Sequence, residues 1–262
     1  MHLIDALGTV HAPAPGARIV SLVPSITEML CDLGLAPQLV GRTGFCIHPK
    51  HVVAGIAKVG GTKDVNLDKI AQLAPTHVIV NIDENEKPTA DALARFVPHL
   101  VVTHPIGPRD NLALARLLGG LFCVAERAEA WCDAFEAEYA RLQAAPKGPP
   151  ATVLYCIWQD PWMTIANDTY IARMLAEIGW RTPVLGKQRY PVFTWNAALL
   201  EQIDCVLLSS EPYRFTQVHA DALEQQIGKP VYIVDGEMMS WYGSRSLAGL
   251  AYLRELASNG WV

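Results

Sequence analysis

The chain has 262 residues, 51% of them apolar and 18% charged, with a net charge of −5. That is enough apolar chain for one large core or two smaller ones. No Lys/Arg block or basic stripe is present, which excludes the electrostatic footprint of a nucleic-acid binder, and no apolar run is long enough to span a bilayer.

The first twenty residues, MHLIDALGTVHAPAPGARIV, lack a basic start, an apolar signal core and a small-residue cleavage site. The location expected on that ground is the cytoplasm, or the periplasm if a leader was missed or removed. Cys31, Cys46, Cys123, Cys132, Cys156 and Cys205 are scattered through apolar segments without a CxxC pair. They read as buried reduced thiols.

Residues 17–22 form a first apolar strand. Residues 27–33 form a helix closed by Gly34, with Ser25 as N-cap and Glu28 completing a capping box. Helical patterns follow over 67–73 and 88–96, and strands over 76–80 and 100–103. The region 109–147 is helical, with a break expected at Gly119-Gly120. Trp131, Cys132, Phe135, Tyr139 and Leu142 then mark one face of a long helix, which "AAPKGPP" stops. The second half repeats the plan, with a strand over 151–158 and a helix over 169–178. "APTHVIVN" has a counterpart in "QIDCVLLS", and "VPHLVVTH" in "GKPVYIVD". Continuous apolar strands alternating with helices predict parallel sheets covered on both faces. The expected fold is α/β: two Rossmann-like lobes with parallel-rich sheets joined by a single long backbone helix. The divisions are an N-terminal lobe over 1–108, the helical backbone over 109–147 and a C-terminal lobe over 148–262. One larger doubly wound sheet is the alternative.

Ligands of open parallel sheets sit beyond the carboxyl ends of the strands. Those ends carry Ser25, then Asp83, Glu84 and Asn85, then Trp158 and Trp162, then Tyr213 and Arg214, with Trp241, Tyr242 and Arg245 further on. Aromatic side chains there suit a flat or bulky ligand, and arginines suit its anionic groups. Arg245, a cation near a helix start, calls for an acid of the protein or an anionic ligand group. Cys46, with His48 close by, is a weak metal candidate that would need Asp83 or Glu84 as a further ligand. It supports an alternative reading as a metal-handling protein or enzyme. "GIAKVGGTKD" misses the P-loop pattern, and no GxGxxG after a strand, GxSxG or HExxH occurs.

"RIVSLVPSITEMLCDLGLAPQLVGRT" followed by "VGGTKDVNLDKIAQLAPTHVIVN" closely resembles the helical-backbone (class III) substrate-binding proteins of ABC importers, those for vitamin B12, haem and ferric siderophores. The resemblance implies two α/β lobes with a ligand cleft between them. It implies a non-catalytic solute-binding protein, probing no intrinsic cofactor but a bulky metal-containing ligand (cobalamin, haem or a ferric chelate). An ABC permease as partner and a monomeric state go with it. It adds Phe45, Cys46 and Trp195 to the ligand-contact set and makes Arg245 a ligand-side arginine. Asp68 stands at the permease-docking position of the first lobe, and Ala197 at that of the second. Thr62, Asn81 and Val192 stand where corrin-stacking tryptophans are expected.

Overall fold

Apolar strands and amphipathic helices alternate along the computed structural model, which describes residues 3–258. The chain divides into two compact units. The first comprises Met1–Pro105, Arg109–Ala134 and Tyr242–Arg245; the second comprises Ile106–Pro108, Phe135–Trp241 and Ser246–Val262.

The first unit opens with a hairpin of β1 (Leu3–Ile4) and β2 (Val10–His11). There follow β3 (Ile19–Ser21), α1 (Pro24–Asp32), β4 (Leu39–Arg42), α2 (Lys50–Val53), β5 (Ala57–Lys58), α3 (Leu67–Leu73), β6 (His77–Asn81), α4 (Lys87–Leu93), β7 (His99–Thr103) and α5 (Asp110–Leu121). Its five-stranded sheet is parallel, in the order β5-β4-β3-β6-β7. All five residues of β6 are buried, as a central parallel strand requires. One core layer joins Val20, Leu22, Val78 and Val80 of the sheet region to Ile70 and Leu93 of the covering helices. The hairpin turn covers the outer edge of β7: Ala6 N donates to Val102 O at 2.9 Å, and Val102 N to Asp5 Oδ2 at 3.1 Å.

Helix α6 (Ala125–Ala144) runs for 20 residues and ends where "AAPKGPP" begins. The break before it falls at Phe122–Val124, where Cys123 takes φ +59°, and not at Gly119-Gly120. Both glycines stay helical because they serve packing: a Cβ on Gly120 would stand 2.5 Å from Leu3 Cδ2.

The second unit contains β8 (Ala151–Trp158), β9 (Met163–Thr164), α7 (Tyr170–Ala176), β10 (Trp180–Arg181), α8 (Ala197–Gln202), β11 (Cys205–Ser209), α9 (Gln217–Ile227), β12 (Val231–Val234), α10 (Gly236–Ser240) and α11 (Ser246–Ser258). The parallel strands take the order β10-β8-β11-β12, and β9 pairs antiparallel with β8. Leu154, Val206, Leu208, Leu199 and Leu223 lie in its core. The internal repeat has a physical form: β3-β6-β7 and β8-β11-β12 have the same adjacency. The helices entering β6 and β11 are capped alike, Asn66 accepting from Lys69 N and Asn196 from Leu199 N, each at 2.9 Å.

Candidate ligand-binding surfaces

Each sheet has one place where the strand order reverses, between β3 and β6 in the first unit and between β8 and β11 in the second. At such a point neighbouring connections leave in opposite directions, and a crevice opens at the carboxyl ends. The residues following these strands are therefore the candidate contacts of each unit.

In the first unit β3 runs into α1 through Val23, which is the N-cap and makes no side-chain cap bond, with Pro24 opening the helix. The capping box expected from Ser25 and Glu28 does not form. Proline at the first helical position moves the boundary, so Ser25 lies inside the helix and is 3% exposed. Glu28 instead accepts two bonds from Arg245, Nε at 2.9 Å and Nη2 at 2.6 Å. The acid that Arg245 requires is thus within the protein. Gly34, at φ +78°, closes the helix in a Schellman arrangement, with Leu35 N donating to Leu30 O at 2.8 Å.

Beyond β6 the polar residues are tied to the scaffold. Asn85 is 8% exposed. Its Oδ1 accepts from Asn81 N at 2.9 Å, and its Nδ2 donates to Thr62 O at 2.9 Å and Leu22 O at 3.3 Å, which fastens the ends of β3 and β6 to the 62 loop. Glu84 accepts the Tyr242 hydroxyl. Burial, reinforced by the Glu84 charge, pushes that phenol well above its usual range. Asp83 lies 3.3 Å from His104 Nε2. Among the side chains this end presents to solvent are three large apolar ones: Phe45 (62% exposed) and Ile47 beyond β4, and Ile82 beyond β6.

Cys46 is fully buried, with the Thr27 and Thr43 hydroxyls each 3.1 Å from its sulfur. Burial pushes the thiol up, opposing the thiolate that a metal or nucleophile role demands. Among the described residues no group of three His, Cys, Asp or Glu side chains could hold a metal ion. Among the described residues no third such side chain joins Cys46 and His48.

In the second unit Trp158 ends β8 at 39% exposure, the most exposed of the described tryptophans. Tyr213 meets it edge to face at 5.4 Å. Tyr213 is itself held, since its hydroxyl accepts Gln159 Nε2 at 2.8 Å and Phe215 lies 4.6 Å away. Met163 of β9 pairs with Trp158 on one side and bridges Val192 on the other, so Trp158 and the exposed Val192 belong to one strip. Trp162 and Trp195 pack into the core with Phe193 and Phe215, Trp162 stacking on Phe215 at 5.8 Å. Trp241 is half-buried and donates its indole N–H to Glu211 at 2.6 Å. Arg214 is exposed. Asp68 is exposed in the first turn of α3, and Ala197 opens α8.

The candidate set thus divides. Phe45 and Trp158 are presented outward, whereas Ser25, Cys46, Asn85, Trp162 and Trp195 serve packing or fastening. Ile47, Ile82 and Glu211 join the candidate positions. Ile82 is an apolar side chain one residue past a buried strand. Glu211 stands at a strand end in the sequence, but its partner Trp241 lies thirty residues away.

The sequence profile of the periplasmic binding protein family matches residues 19–226. A vitamin B12-binding protein of Pectobacterium carotovorum subsp. carotovorum (strain PC1) is 24% identical over 238 residues, covering 88% of this chain and 84% of that one. An uncharacterized ABC transporter substrate-binding lipoprotein of Bacillus subtilis (strain 168) is 24% identical over 256 residues, covering 91% and 79%. The apo structure of a periplasmic heme-binding protein from Roseiflexus sp. RS-1 superposes with a TM-score of 0.77 at 19% identity, covering 94% of this chain and all of that one, a likeness of fold. These relatives overturn the cytoplasmic location read from the first twenty residues. The Bacillus protein is named a lipoprotein and the Roseiflexus protein periplasmic, which points outside the cytoplasm.

Proposed function

The chain belongs to the periplasmic binding protein family, and from that premise we propose that its ligand is a bulky metal-containing molecule of the corrinoid, haem or iron-chelate class. The protein is a solute-binding protein of the ABC-importer type. Such proteins carry cargo without transforming it, and no catalytic role is assigned to any residue here. One observation carries the ligand reading: the strand ends at and beside both reversal points present large apolar side chains to solvent, Phe45, Ile47 and Ile82 in one unit and Trp158 and Val192 in the other. Exposed aromatic and aliphatic groups at such positions match the broad faces of a macrocycle or a wrapped chelate. The relatives named for vitamin B12 and heme agree with that size and shape. Asp83, Tyr242, Arg214 and Trp241 would supply polar and rim contacts. Asp68 is the proposed docking acid for a permease, a role its exposure on α3 permits.

Titration with cyanocobalamin, haemin and a ferric hydroxamate chelate, followed by tryptophan quenching, tests the proposal. Saturable quenching is expected with at least one of them, weakened in Trp158→Ala. No saturable change with any of the three would overturn it.

A further inference from the structure

The fold half-buries the Glu211 carboxylate, and among the described residues no cation pairs with it. Glu211 follows β11, at the reversal point of the second sheet. Its Oε1 accepts the Trp241 indole N–H at 2.6 Å and the Ser240 hydroxyl at 3.4 Å. Its main-chain oxygen accepts the Ser209 hydroxyl at 2.5 Å, and Tyr155 OH donates to Ser209 Oγ at 3.0 Å. Gly236 makes room for it, since a Cβ there would stand 2.6 Å from Glu211 Cγ and 2.8 Å from Glu211 N. Among the described residues Arg189 pairs with Asp168, and Arg141 and Arg254 with Glu138, while Glu211 takes part in no ion pair. The charges acting on it come from Glu237 and Asp235, both acidic; burial first, and these acids after it, push its carboxyl up.

An anion taken partly out of water, supplied with neutral donors but no counter-charge, is stabilised by whatever brings it a further donor or a positive charge. A second anion brought beside it is repelled. Trp158, next to the Gln159 that fastens Tyr213 in the same strand-end region, supplies the apolar platform beside which a ligand rim would lie.

Resting on the solute-binding reading, we propose that Glu211 is a specificity-determining contact that receives an amide or cationic group on the ligand rim and turns away ligands rimmed by carboxylates. The ligand class is then an amide-bearing or cationic macrocycle, not a poly-acid.

Two corrins with the same ring and metal test this: dicyanocobinamide, whose rim carries amides, and dicyanocobyrinic acid, whose rim carries carboxylates. The wild-type protein is expected to bind the amide corrin at least about tenfold more tightly, the ratio that about 1.4 kcal/mol of repulsion produces. Glu211→Gln keeps an acceptor for Trp241 and removes the charge, so the ratio should fall to about threefold or less, mainly through tighter binding of the acid. Asp221→Asn removes an exposed acid of α9 and should leave the ratio unchanged. Equal binding of the two corrins by the wild type, a comparison that needs no variant, overturns the proposal. So does a ratio that Glu211→Gln moves no further than Asp221→Asn does, which would make Glu211 an anchor for Trp241. If haemin binds and neither corrin does, the solute-binding reading stands and this inference falls. If neither corrin, nor haemin, nor the ferric hydroxamate chelate binds, both fall.

Discussion

Two side chains show how burial converts a charge into a structural commitment. Arg245 and Glu28 are 14% and 13% exposed, and two donors of the guanidinium meet both carboxylate oxygens. Removing one partner strands the other out of water, which costs more than removing both. Arg245→Met should therefore destabilise the protein by about 2 kcal/mol, and the Glu28→Leu/Arg245→Met pair by less than the two single changes added together. Urea unfolding of the four proteins measures the coupling. His77 is the opposite case, a titratable ring kept neutral. It is buried and stacked on His99 at 4.7 Å, with Phe122 against its edge. Burial, with His99 and His11 adding repulsion, lowers its pKa from 6.5 to about 4. Above pH 6.5 the ring is neutral whether folded or unfolded, so nothing is lost. Between 6.5 and 4 the unfolded chain binds the proton and the folded one does not, so stability falls as the pH drops through that window. At pH 5 the loss is about 1 to 2 kcal/mol, allowing for solvent at the exposed His99 face. Urea midpoints at pH 7 and pH 5 should show it, and His77→Gln should remove most of the difference.

Elements were legible in the sequence where one physical cause dominates. β6 and β8 announce themselves as unbroken apolar runs, and α6 as a long amphipathic stretch ended by prolines. The doubled plan was legible too, and its sharpest trace is the pair of Asn caps before β6 and β11. Each accepts one main-chain N–H at 2.9 Å and starts a short helix that delivers the next strand. Asn66→Ala and Asn196→Ala should each cost about 1 kcal/mol, and Asn→Asp should cost little, because the carboxylate accepts the same bond. Thermal melts of the four variants check this. What the sequence hid was decided by partners far along the chain. The α1 start looked like a capping box until Arg245 claimed Glu28, 217 residues away, and Pro24 set the first turn. Gly119-Gly120 looked like a break, but the missing side chains are what let Leu3 pack against α5. Trp162 and Trp195 read as ligand contacts from their places near strand ends, and the sequence did not show that these partly buried rings also pack against Phe193 and Phe215.

At the scale of the molecule, most of the thiols are kept from solvent: Cys46, Cys132, Cys156 and Cys205 are buried, Cys31 is half-buried and Cys123 is exposed. Burial raises Cys31 to about 11 and Cys205 to about 12, and raises Cys156 as well, so little thiolate forms at these three to be oxidised. Such a protein is also one whose stability its cargo sets. A ligand that binds the native state alone stabilises it by RT ln(1 + [L]/Kd), about 2.7 kcal/mol at one hundred times Kd. For a chain of this length each kcal/mol moves the melting temperature by about 2–4 °C, so a saturating ligand should raise it by about 5–10 °C. Trp158→Ala separates contact from scaffold in that measurement. The indole stands outside both core layers, so the ligand-free melting temperature should change by less than about 2 °C. Loss of its stacking surface should weaken binding about tenfold, which at fixed ligand concentration removes about 3–5 °C of the ligand-induced rise. Scanning calorimetry of the wild type and the variant, each with and without cyanocobalamin or haemin, gives all four numbers. A ligand-free melting temperature that falls as far as the ligand-bound one would place Trp158 in the fold's support and remove it from the contact surface.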